Sequence, residues 1–146
     1  MVDRSVSGSK LKFQPTALVM DDYEAVRTVL SRILERLGYE VHAVADGDAA
    51  VSAVVSRAQA TPPARERPYD CVFLDAHVKG GRGGLEVVDR LLEACPAARV
   101  VLVTGDVEMS DRKALSLGFA AQLPKPFTTA SVAAVLRKVG APCANF

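Results

Sequence analysis

Five short apolar runs punctuate the chain, at Ala17 to Met20, Val41 to Val44, Cys71 to Leu74, Val100 to Val103 and Ala120 to Leu123. The middle runs are almost continuously apolar instead of alternating, the pattern of a parallel strand covered on both faces. Between the runs the spacing of apolar residues lengthens to every third or fourth position. Val26, Val29, Leu30, Ile33, Leu34 and Leu37 predict one buried face of a first helix, and Gly38 supplies a left-handed stop. A second helix is expected around Asp48 to Gln59, halted before Thr61, Pro62 and Pro63, with a polar connection through Arg67. Leu85, Val88, Leu91 and Leu92 mark a third, closed by Pro96. Ser110 to Leu117 reads as a short fourth that ends at Gly118, and Val132, Val135, Leu136 and Val139 mark a fifth that ends at Gly140.

Strand followed by helix, five times over, predicts an α/β fold: a five-stranded parallel sheet with helices on both faces, a (βα)5 three-layer sandwich. In the flavodoxin-like order 2-1-3-4-5, the ligand crevice lies where strands one and three end, at the point where the strand order reverses. Met1 to Pro15 is polar, lacks either periodicity and reads as a flexible N-terminal tail. The expected domain runs over 16–140, with 141–146 as a short C-terminal tail.

Composition narrows the field. The 146 residues fit one domain, and 49% hydrophobic against 24% charged residues is ample for a core. With 18 Lys and Arg against 17 Asp and Glu, no basic stripe is offered to a nucleic-acid backbone, so direct nucleic-acid binding is not expected. Cys71, Cys95 and Cys143 have neither metal-ligand spacing nor an even framework, which suits reduced thiols and a cytoplasmic setting. No apolar run is long enough to cross a bilayer, and no membrane association is expected.

The chemistry sits at the strand ends. Strand one runs into Asp21 and Asp22, strand three into Asp75, strand four into Thr104 and strand five into Lys125. Crowded carboxylates repel, and a cation relieves them; oxygen ligands with an unfilled shell suit Mg²⁺, which takes carboxylates together with a phosphate. The remaining groups then read as a phosphoryl-transfer site, with Asp75 as nucleophile, the Thr104 hydroxyl donating to one phosphoryl oxygen and the Lys125 ammonium neutralising another. Taken singly, Asp21 and Asp22 could cap a helix, Thr104 could be a turn residue and Lys125 a surface lysine; all of them in register favour the functional reading.

Four segments carry a resemblance: Ala17 to Asp22 (ALVMDD), Tyr69 to Asp75 (YDCVFLD), Val101 to Gly105 (VLVTG) and Leu123 to Phe127 (LPKPF). In joint order and spacing they resemble the signatures of the receiver domains of two-component signalling, over about residues 16 to 140. The resemblance implies phosphorylation of Asp75 by a histidine kinase or a histidine phosphotransfer protein. It also implies Mg²⁺ held by Asp22, Asp75 and the main-chain carbonyl of His77, with Asp21 acting through water, and a cis Lys125-Pro126 peptide. A downstream protein target is expected on the face near strands four and five.

Some positions depart from that family's pattern. Val78-Lys79 replaces its usual hydrophobic residue and proline, and the loop Lys79 to Gly84 looks longer and more flexible. Gln122 stands where the family commonly carries an aromatic side chain that turns inward on phosphorylation, so the usual aromatic switch cannot operate. These departures motivate an alternative: a receiver-like interaction module that works without phosphorylation. An aspartyl-nucleophile hydrolase of the haloacid dehalogenase type is disfavoured, because Asp21-Asp22-Tyr23 lacks the Asp-x-Asp pattern. His42 and His77 have no second imidazole at ligand spacing, and a structural role is expected for both. The Arg82 loop is expected to be mobile surface.

Overall fold

The computed structural model describes residues 14–60 and 67–142; the expected tails, apart from their inner ends, lie outside the described residues. Ten elements alternate along the chain: β1 (Thr16–Met20), α1 (Glu24–Arg36), β2 (Glu40–Val44), α2 (Gly47–Ala60), β3 (Cys71–Asp75), α3 (Gly84–Ala94), β4 (Val100–Thr104), α4 (Asp111–Ser116), β5 (Ala121–Pro124) and α5 (Thr129–Lys138). All strand pairs are parallel and the sheet order is β2-β1-β3-β4-β5, as the pattern predicts.

The pleat explains the layering. In β1, Ala17 and Val19 face one core while Leu18 and Met20 face the other, because successive side chains leave a strand on opposite sides. The first core adds Leu30 and Leu34 of α1 with Val132 and Leu136 of α5; the second adds Ala50 and Val54 of α2, Val88 and Leu91 of α3, and Ala114 of α4. Strands β1, β3 and β4 are buried throughout, which is why their sequences are nearly continuous in apolar residues. Each fully buried Leu or Phe here contributes about 1.5–3 kcal/mol.

Two details differ from the sequence pattern. Val29, expected on the buried face of α1, is 50% exposed. The chain also stays packed past residue 140: Ala141 is buried, and the Tyr39 hydroxyl donates to the Pro142 carbonyl. Gly38, Gly118 and Gly140 all take positive φ after α1, α4 and α5, the left-handed turn in which a side chain would be strained. Among the described residues, no helix is long and apolar enough to cross a membrane.

Candidate functional site at the carboxyl ends of the strands

The sheet register sets the site. Asp75, the last residue of β3, stands beside Val103, so Thr104 follows one step on at the end of β4; Asp21 and Asp22 follow Met20 at the end of β1. Local contacts fix the ends of β1 and β3. Asp21 Oδ1 accepts the Tyr23 amide at 2.9 Å, a short turn that begins α1, and the Arg27 guanidinium donates to the Asp21 carbonyl at 2.8 Å. At the end of β3 a glycine pair starts α3. A methyl group at Gly83 would collide with the Ala76 carbonyl oxygen, and one at Gly84 would lie 2.8 Å from the Asp75 carbonyl oxygen. At the end of β5 the Lys125-Pro126 peptide is cis, as the resemblance implies.

All the residues singled out from the sequence come together. Asp22, Asp75, His77, Thr104 and Lys125 line one cleft of about 440 Å³ together with Tyr23, Lys79 and Asp106. Asp21, Asp22 and Asp75 each place a carboxylate oxygen within 4.8 Å of the others. Asp75 is 6% and Asp21 2% exposed, and the Lys125 ammonium reaches both, at 3.0 Å from Asp75 Oδ1 and 3.1 Å from Asp21 Oδ2. The first contact is a hydrogen bond; the second is an ion pair without hydrogen-bond geometry, leaving Asp21 Oδ2 as a buried acceptor without a hydrogen bond among the described residues.

Charge balance follows from these distances. Burial pushes the Asp75 carboxyl above its ordinary value, and the neighbouring Asp21 and Asp22 charges push the same way against the Lys125 hydrogen bond. For Lys125, burial favours the neutral amine, but its hydrogen bond to Asp75 and its ion pair with Asp21 outweigh that and raise it above the ordinary lysine value. One ammonium thus faces three carboxylates. The buried, hydrogen-bond-deficient Asp21 Oδ2 and the three converging oxygens fit a hard divalent cation, and the all-oxygen donor set suits Mg²⁺.

Several contributors lie outside what the pattern revealed. The Lys79 amide donates to Asp22 Oδ2 at 3.1 Å, and the Asp106 amide donates to Thr104 Oγ1 at 2.9 Å; main-chain donors carry no sequence signature. Loop 79–84, expected to be mobile surface, is exposed over residues 79–82 and makes contacts near its two ends. The Arg82 carbonyl accepts from the Gly47 amide at 2.7 Å, the Arg82 guanidinium lies 3.8 Å from Asp48, and the Gly83 amide donates to Glu86 at 3.2 Å. His42 is structural, with Nδ1 at 2.7 Å from the Tyr69 hydroxyl.

Comparison with known proteins gives the family. The response regulator receiver domain family matches residues 17–137, and the chain belongs to that family. The chain is 38% identical over 117 residues to protein-glutamate methylesterase/protein-glutamine glutaminase 2 of Anaeromyxobacter dehalogenans, covering 79% of this chain and 31% of that protein. It spans under a third of the length of this and the other full-length relatives first matched. A response regulator protein from Burkholderia pseudomallei, solved with a phosphorylated aspartic acid, calcium ion and citrate, superposes with a TM-score of 0.68 at 28% identity, covering 84% of this chain and 66% of that one. The receiver domain of the sensor histidine kinase PA1611 from Pseudomonas aeruginosa, with magnesium coordinated in its active-site cleft, gives a TM-score of 0.71 at 24% identity, covering 88% and 100%. The protein is thus a receiver domain of two-component signalling.

Proposed function

We propose that Asp75 accepts a phosphoryl group from a phosphohistidine on a histidine kinase or a histidine phosphotransfer protein. The observation that carries this reading is a buried carboxylate on the wall of an open cleft, hydrogen-bonded to Lys125 and crowded by Asp21 and Asp22. An Asp75 carboxylate oxygen attacks phosphorus, the phosphorus–nitrogen bond of the donor breaks, and the imidazole leaves with the bonding electrons. The product is an acyl phosphate on Asp75.

In this reading Asp22, Asp75 and the His77 carbonyl hold Mg²⁺, with Asp21 engaged through water. Bound there, Mg²⁺ supplies neutralisation of charge on the phosphoryl oxygens. The chain's own groups do the rest. Lys125 moves its ammonium from the carboxylate to a phosphoryl oxygen as charge migrates outward, and the Thr104 hydroxyl donates to another. Arg27 and the Tyr23 amide keep the β1 turn in place, so that Asp22 faces the cleft. A downstream protein reads the phosphorylated state on the face formed by β4, α4 and β5.

Incubation with Mg²⁺ and acetyl phosphate tests this reading, with intact mass as the readout. One phosphoryl group is expected on the wild-type chain and none on Asp75→Asn. Absence of the gain in the wild type, or its persistence in Asp75→Asn, overturns the reading and leaves a phosphorylation-independent interaction module.

A further inference from the structure

Gln122 lies in β5, and the nitrogen of its carboxamide uses both of its protons. Nε2 donates to the Met109 carbonyl at 2.8 Å and to Asp111 Oδ1 at 2.9 Å, so both amide protons cross from β5 to the start of α4. The bridge continues inward. The Met109 amide donates to the Asp106 carbonyl at 3.2 Å, and the Asp106 amide donates to Thr104 Oγ1 at 2.9 Å. Gln122, Met109 and Asp106 thus link the strand that runs into Lys125 to the Thr104 hydroxyl in the cleft.

The segment's apolar anchor is Met109, which packs against the second core, and the Glu108 amide donates to Asp106 Oδ1 within it at 2.9 Å. Residues 105–108 are exposed, with Val107 at 96%, so apolar burial does not fix their position and polar anchors decide it. The Asp106 amide also occupies an acceptor site on Thr104 Oγ1, which turns the hydroxyl proton away from that amide and leaves it available to the cleft. We propose that Gln122 is a positioning residue for the phosphoryl chemistry: it anchors segment 105–110 and, through Met109 and Asp106, sets the direction in which Thr104 donates. The inference rests on the proposed phosphorylation of Asp75. A carboxamide suits this position because two acceptors, one of them charged, face a single side chain.

Two variants test it. Gln122→Glu keeps the shape and sets a carboxylate against two acceptors; Gln122→Met keeps the length, has no donor and adds no charge. Both are made in the otherwise wild-type chain and in a Thr104→Ala background. Phosphorylation by acetyl phosphate is timed, and exchange of the Asp106 amide is followed by NMR.

The expected result is phosphorylation slowed about tenfold by either variant, less than the ~10²-fold cost of deleting a transition-state donor outright. On the Thr104→Ala background the same changes slow it no further, because the pathway they disturb is already gone. A purely structural role would instead lower both backgrounds alike. Equal slowing on both backgrounds overturns the proposal, as does an unchanged rate in the wild-type background. If the wild-type chain takes no phosphoryl group, the functional reading falls separately. Asp106 exchange then decides the anchor: about tenfold faster exchange in both variants supports it, and unchanged exchange overturns it.

Discussion

The two ends of the same sheet are built to opposite purposes. At the amino ends of the strands the polar contacts are complementary. Asp70 accepts the Thr16 amide at 2.8 Å and returns its own amide to the Thr16 carbonyl, the Tyr69 hydroxyl meets His42, and the Arg57 guanidinium lies over the Tyr69 ring while donating to the Pro68 carbonyl. At the carboxyl ends three carboxylates converge, the Lys125 ammonium pairs with Asp21 and Asp75, and a buried carboxylate oxygen of Asp21 lacks a hydrogen bond among the described residues. One end ties the strands together; the other holds like charges that a ligand can relieve. Stability given up at the carboxyl end is the usual cost of a preorganised site.

The sharpest way to break this contrast is at Asp75. Asp75→Asn is expected to abolish phosphoryl gain by mass spectrometry while making the metal-free fold more stable. Because burial and like charges raise the Asp75 carboxyl, the folded state binds its proton more tightly than the unfolded chain. Stability present below the ordinary carboxylate value therefore falls as pH rises through the raised one. Denaturant titrations from pH 3 to 7, run without Mg²⁺, are expected to show a flatter curve for Asp75→Asn; a steeper one would contradict the charge argument.

The opposite end should respond with the opposite sign. Asp70→Ala leaves the buried Thr16 amide without its partner and is expected to cost about 2 kcal/mol in urea unfolding. It should leave phosphorylation by acetyl phosphate near the wild-type rate. Mg²⁺ is the next lever: at a free concentration ten times its Kd it is expected to stabilise the wild-type chain by about 1.4 kcal/mol, and Asp22→Asn should lose most of that shift in a thermal melt.

The smallest expected effect is at high pH. Burial raises the Tyr69 hydroxyl above its ordinary value of 10.0, so its contribution is intact below that value and is lost as pH climbs through the raised one. Tyr69→Phe should lessen the alkaline loss of stability, read by circular dichroism. The remaining alkaline loss should fall in Lys125→Met, because Lys125 is also raised above its ordinary value and loses its stabilising pairs on deprotonation.

The elements and the acid cluster were legible because they depend on side-chain pattern. Buried parallel strands demand unbroken apolar runs, so the ends of those runs point to Asp21, Asp22, Asp75, Thr104 and Lys125 before any coordinates are known. What escaped depends on main-chain groups and long-range pairing. The amides of Lys79 and Asp106 look the same whatever the sequence, so their bonds to Asp22 and Thr104 left no trace in the pattern. Loop 79–84 reads as mobile from its glycines, yet its partners are Gly47 and Asp48 at the start of α2, a pairing that only the fold brings about. Gln122 reads as the loss of an aromatic residue; that its amide has two acceptors waiting depends on how α4 sits against β5. Val29 fits the helical spacing of α1 but falls beyond the strip that the sheet and α5 cover.

The contact between the start of α3 and the end of β3 has a consequence for anyone redesigning this cleft. At Gly80 an added methyl meets nothing within 4 Å, although its positive φ would strain most other residues. At 83 and 84 even a methyl must push the start of α3 away from the end of β3, and that strand carries Asp75, the proposed acceptor. New specificity in this protein has to be written around those two positions, because enlarging either one would move the residue whose reactivity the change was meant to tune.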